Sequence, residues 1–241
     1  PEVKEKIEKM HVVPETLKDY PVPVTYTERN YDKPKVFFTH YDQVQTNVYM
    51  VSKDVPYNKD LYPMQNLFNQ YYGSGLSSIV FQEIREAKGF AYTSYASYTT
   101  PEWPFENHYV SAYVATQPDK LKDAVDALLG LMNQMARSEQ MFNASKDGIM
   151  KQLQSGRIIR SSIFWNWLAA NDKGITYDLR KDAWEKTPGI TQDMLEEFFN
   201  QHIKGKNYII LIQGDRNKVN FAQLKKYGEV EEVSPEVMYG Y

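Results

Sequence analysis

Two residues whose types and spacing could do chemistry together are Arg85 and Tyr92, seven positions apart on either side of Gly89. A phenol that donates to a carbonyl oxygen, with a guanidinium beside it, stabilises the negative charge that builds on that oxygen during nucleophilic attack. Losing one such donor typically costs about 10²- to 10³-fold in turnover. Taken alone, the pair has a plainer reading. An arginine in a helix's last turn complements the helix dipole or pairs with a nearby acid such as Glu102 or Glu106, and Tyr92 is one of 19 tyrosines.

The histidines carry no metal spacing. The four read His11-Val-Val-Pro-Glu, His40-Tyr-Asp-Gln-Val, His108-Tyr-Val-Ser-Ala and His202-Ile-Lys-Gly-Lys, and there is no cysteine. Two imidazoles reach one metal when they stand a helical turn apart, and a neighbouring glutamate activates the bound water. Neither H-x-x-E-H nor H-E-x-x-H occurs, so a peptidase zinc site within this chain is not expected and catalysis by the chain alone should be absent.

The elements that must position Arg85 and Tyr92 are legible from Tyr71 to Tyr98. Gly73 and Gly75 supply freedom for a tight turn, with Ser74 as a candidate N-cap. Leu76, Ile79, Val80, Ile84 and Ala87 recur at helical spacing, and Gly89 ends the helix as a left-handed cap. Phe90 to Thr99 then reads as a strand, which puts Arg85 at a helix end and Tyr92 on the strand after it.

This stretch resembles the second, non-zinc half of pitrilysin- or insulysin-type zinc metallopeptidases, the inverzincins, in Gly73, Gly75, Ser77, Ser78, Glu83, Arg85, Glu86 and Tyr92. The similarity extends from about Pro34 to about Val230, through Ile190-Thr-Gln-Asp-Met-Leu and Ile209-Ile-Leu-Ile-Gln-Gly-Asp. The resemblance implies that Arg85 and Tyr92 reach the substrate carbonyl near the scissile bond. It also implies that zinc belongs to a partner half bearing H-x-x-E-H, on the same polypeptide or a separate subunit. The function it implies is the substrate-binding half of a peptidase. The alternative is an inactive family member that acts as a scaffold, and fold alone cannot separate the two.

Outside that block, residues 1–33 read as a linker or arm with one short helix and a strand at Val22 to Tyr26, and 34–241 as the peptidase-half domain. Lys35 to His40 and Gln45 to Ser52 read as strands joined by a turn around Tyr41, Lys59 to Tyr72 as a helix, and His108 to Thr116 as a strand. Helices follow with Pro118 in a first turn, Ser138 as a cap, Ser162 as a start, and Thr191 as a cap with Met194, Leu195, Phe198, Phe199 and Ile203 inward. Tyr208 to Gln213 reads as a buried strand. The order fits a two-layer α+β fold, helices packed on a mixed or antiparallel sheet, as in one half of the pitrilysin-type clamshell that the resemblance implies.

A net charge of −3 and a pI near 5.9 give no electrostatic footprint for nucleic acid or an anionic membrane. No apolar run approaches a membrane span, and a cysteine-free soluble chain suits cytoplasm and periplasm alike. The Tyr72-Gly-Ser-Gly turn lacks the Lys-Ser/Thr of a phosphate loop. Trp103, Phe105, Tyr95 and Tyr98 read either as hairpin packing or as a peptide-binding wall.

Overall fold

The computed structural model of the chain describes residues 2–12, 14–19 and 29–240. They fall into two compact units, Pro1–Asn30 and Tyr31–Tyr241. The first holds helix α1, Glu2–Met10, whose exposed surface is laced by Lys6–Glu2 (2.9 Å) and Lys4–Glu8 (3.6 Å) pairs. The strand expected at Val22 to Tyr26 lies outside the described residues.

The second unit is built on a six-stranded mixed sheet. Its strands are β1 (Lys35–His40), β2 (Thr46–Pro56), β3 (Ala91–Thr99), β4 (Asn107–Thr116), β5 (Ile209–Gly214) and β6 (Glu229–Glu232), in the spatial order β3-β4-β2-β5-β1-β6. β1 lies parallel to β5 and β6, and the remaining pairings are antiparallel. Strands β1 and β2 do not pair with each other, although only a short turn joins them, because β5 lies between the two. The apolar run at 209–213 is therefore central, with Val48 opposite Ile212 and Val36 opposite Ile210. Alternation buries Val36, Phe38, Val48, Met50, Ile210 and Ile212 on one face.

Helices cover that face: α2 (Tyr62–Phe68), α3 (Ile79–Phe81), α4 (Leu121–Asn133), α5 (Glu139–Ser155), α7 (Arg180–Lys186) and α8 (Gln192–His202), while α6 (Arg160–Asp172), between α5 and α7 in sequence, buries none of its residues. Short helices α9 (Phe221–Leu224) and α10 (Pro235–Tyr239) follow β5 and β6. Helix α4 buries Leu121, Val125, Leu128 and Met132 along one stripe, as the period demands. Ser138 and Thr191 cap α5 and α8 by accepting the Met141 and Met194 amides. Three expectations are corrected. Met194 is 45% exposed, since its amide and not its side chain serves the helix start; Leu76 is exposed and precedes its helix; and α6 begins two residues before Ser162.

Candidate functional site

The helix that carries Arg85 begins at Ser78, not Ser74. Ser78 accepts the Phe81 amide, while Ser74 is extended and its hydroxyl donates to Ala96 O on β3. The two glycines before it do different jobs. Gly75 has φ +93° and makes the turn, whereas a Cβ on Gly73 would stand 2.1 Å from Ala96 O. Gly73 thus lets the end of one helix touch β3 directly.

From Gln82 to Ala87 the helix widens into π-type bonding, which commonly marks functional turns. Gly89, at φ +60°, closes it: its amide reaches Arg85 O, and the Phe90 amide reaches Ile84 O. The chain enters β3 through a bulge, with Ala91 opposite Thr116 and Thr93 opposite Ala115, so Tyr92 is the extra residue. Bulges re-aim a side chain out of the regular pleat. Tyr92 is 68% exposed.

The structure brings the two expected residues together. The Arg85 guanidinium sits 4.8 Å from the Tyr92 ring centroid and 4.9 Å from that of Phe81, a cation held between two aromatic faces. Its Nε lies 3.5 Å from Glu86 Oε1. The pairing with Glu102 or Glu106 is not made: those acids belong to the loop at the far end of β3, about 30 Å away at roughly 3.3 Å per strand residue. Glu106 instead accepts the Trp103 amide. A cleft of about 300 Å³ adjoins Tyr92, lined by Gln45, Phe90, Gln117 and Lys120. Lys120 and Arg85 make this corner cationic, which suits a carbonyl or carboxylate oxygen.

The other aromatics divide. Trp103 and Phe105 stack on each other with much of their surface exposed, while Tyr98 is fully buried and Tyr95 stacks on Tyr113. Sequence reading missed what Tyr98 does. Its hydroxyl donates to the Asp54 carboxylate at 2.6 Å, which also receives His202 Nδ1 at 2.7 Å and the Lys206 ammonium. The Asp54 side chain is 1% exposed. Burial pushes its carboxyl up, but the hydrogen bonds from His202, Lys206 and Tyr98 outweigh that and hold it well below the usual carboxylate range. No local signal in the sequence marks Asp54, because its partners are assembled from β3, the end of α8 and the loop beyond it.

The histidines of this unit are committed to hydrogen bonds and do not fit a zinc site. His108 accepts the Asn58 amide at Nε2 and faces Thr99 O with Nδ1; His40 accepts the Arg216 amide; His202 is bound to Asp54. Among the described residues no three acidic or imidazole groups converge as a metal cage. Nor is any helix among them long and apolar enough to cross a membrane.

Comparison with known proteins bears on this geometry. Solved structures sharing the fold include the peptidase M16 inactive domain from Pseudomonas fluorescens, 15% identical with a TM-score of 0.65 over 81% of this chain and 47% of that one. A protease from Helicobacter pylori is 16% identical, with a TM-score of 0.67 over 88% and 52%. A chain of complex III2 from Candida albicans is 12% identical, with a TM-score of 0.62 over 93% and 55%. At such identities the likeness is one of fold, and this chain spans about half the length of each. No curated protein matches. Residues 4–149, more than half of the chain, match the family described as the peptidase M16 inactive domain, and the chain belongs to that family.

Proposed function

We propose that this chain is the substrate-binding, non-catalytic half of a pitrilysin-type zinc metallopeptidase, with residues 34–241 as the working domain and 1–33 as an arm. The observation that carries this reading is the Arg85 guanidinium held 4.8 Å over the ring of an exposed tyrosine, in a family member without a zinc motif. The zinc, with the residues that hold it and activate its water, belongs to the companion half, which bears H-x-x-E-H. That half supplies the attacking water. This chain binds the peptide and polarises its carbonyl, with the Tyr92 hydroxyl as donor and Arg85 as the fixed positive charge. Because Phe81 and Glu86 brace Arg85, little reorganisation is needed when charge develops on the oxygen.

The test is cleavage of a quenched-fluorescence peptide library, with zinc present, by this chain alone and mixed with the companion half. Activity is expected only in the mixture, and Arg85→Ala or Tyr92→Phe should lower turnover by about 10² to 10³ without weakening association of the halves. Cleavage by the chain alone would overturn the reading. A second reading, a scaffold subunit, is favoured by the fold likeness to a complex III chain. Silence in a mixture whose halves associate would select it.

A further inference from the structure

The least explained surface of the molecule is α6. Although it runs for 13 residues, Arg160–Asp172, none of them is buried. Ile163, Phe164, Trp165 and Trp167 are each more than half exposed, Trp165 at 65% and Trp167 at 59%, and Ile159 just before the helix adds to them. The apolar side chains occupy both sides of the helix. Ile163 and Trp167 line a cleft of about 550 Å³ with Tyr62, Ile158, Ile175 and Tyr177. Phe164 packs its ring against Trp165 at 5.1 Å on the helix surface. These large apolar side chains are interspersed with Ser161, Ser162, Asn166 and Asn171, leaving no separate polar face, and monomeric surfaces seldom leave such a patch open.

The chemistry of the missing cover follows from charge. Between Gly156 and Asp172 the ionisable residues are Arg157, Arg160 and, at the far end, Asp172. Among the described residues neither arginine has an ion pair. A membrane is disfavoured as the cover, because a helix lying in the lipid interface needs a strongly polar face opposite its apolar one, and α6 has none. A protein surface with an apolar groove and carboxylates on its rim fits both features. The solved structures of this fold supply the setting: this chain covers 47%, 52% and 55% of the three, so each continues for nearly as much chain again.

We propose that α6 is the helix on which the companion half of the peptidase seats, Phe164 and Trp165 entering its groove and Arg157 and Arg160 meeting its carboxylates. This rests on the reading above that such a half exists. The sequence alone would pass α6 over, since its aromatic spacing looks like core.

The experiment titrates this chain with the H-x-x-E-H half and reads association by calorimetry and sedimentation. The variants are Trp165→Glu and Arg160→Glu, both at exposed positions and both checked for a native circular dichroism spectrum. Trp165→Glu should weaken association at least tenfold, and Arg160→Glu severalfold with a flatter salt dependence, while turnover at saturating companion stays unchanged. Unchanged affinity in both variants overturns the proposal, as does failure of the unaltered chain to bind the companion. Self-association abolished by Trp165→Glu but indifferent to the companion, or a tryptophan blue shift on phosphatidylglycerol vesicles alone, also overturns it. Failure here leaves the functional reading separately testable. If Arg85→Ala abolishes turnover while the α6 variants bind normally, only the docking assignment falls. If the α6 variants lose affinity while Arg85→Ala is fully active, only the catalytic reading falls.

Discussion

Two tyrosines on the same strand, Tyr98 and Tyr92, show how one residue type can be committed to structure or left facing solvent. Tyr98 is fully buried, its ring packed within 5.1 Å of both His108 and Phe198 and its hydroxyl given to Asp54. Even its backbone is occupied: its amide donates to Asn69, and its carbonyl receives the side-chain amides of Asn69 and Gln65. Tyr92 is 68% exposed, its ring meets Arg85, and among the described residues its hydroxyl has no partner. The cations differ in the same way. Lys206 is committed to Asp54, while the Arg85 guanidinium lies over ring faces that leave its edge N–H groups able to donate. A satisfied cluster stabilises the fold, whereas the exposed pair keeps the Tyr92 hydroxyl and part of the Arg85 guanidinium open to the cleft.

The contrast can be broken by mutation, the largest effect coming from Asp54. Asp54→Ala leaves a lysine, an imidazole and a phenol without their shared acceptor, and should cost about 3 kcal/mol in urea denaturation. That is the low end for a broken buried ion pair, because Lys206 and His202 retain some access to water. Tyr98→Phe, which removes one donor and leaves two, should cost about 1 to 2 kcal/mol by the same measurement.

Acid should separate two buried groups. Burial pushes the His108 imidazole down, outweighing its backbone hydrogen bonds, and its partners are met by the neutral ring protonated at Nδ1. The folded state thus binds fewer protons than the unfolded state between the lowered value and the ordinary one near 6.5, so stability falls as pH drops below about 6.5. Asp54 has the depressed carboxyl. Its contribution is present above the unfolded value of about 4 and is lost only as pH falls further, towards its folded value. Thermal melts from pH 7 to 5 should therefore lose part of their slope in His108→Gln and keep it in Tyr98→Phe. The smallest expected effect sharpens the comparison most: Tyr92→Phe should change unfolding free energy by less than about 0.5 kcal/mol. If it destabilises the fold as much as Tyr98→Phe, the two tyrosines are alike and the contrast is lost.

Local signals carried much of this architecture. Gly89, Ser138 and Thr191 announce helix ends because capping needs particular atoms at particular positions. The alternation in Lys35–His40 announces a strand, and the seven-residue spacing of Arg85 and Tyr92 proved to be a contact. What stayed hidden depends on residues distant in sequence. Nothing near β1 or β2 says that β5 separates them, and β6, with its charged Glu229–Glu232, reads like a loop because an edge strand is kept polar. The bulge at Tyr92 was equally silent, since it exists only in the register against β4. Gly73 was legible as a glycine turn but not as a point where helix and strand touch.

The insertion of β5 between β1 and β2 also sets an order of events during synthesis. Residues 62–116 bring together the helices, bulge and hairpin that hold Arg85 and Tyr92, and these contacts close over short loops. β1 has no strand to pair with until Ile209 has left the ribosome, and its second neighbour comes later still, at Glu229. Val36 and Phe38 must therefore wait, unpaired and apolar, while the whole stretch from β1 to β5 is made. The nascent chain closes its Arg85–Tyr92 corner early and keeps its aggregation hazard late, so slow elongation before residue 209 is the interval in which a chaperone would find this protein.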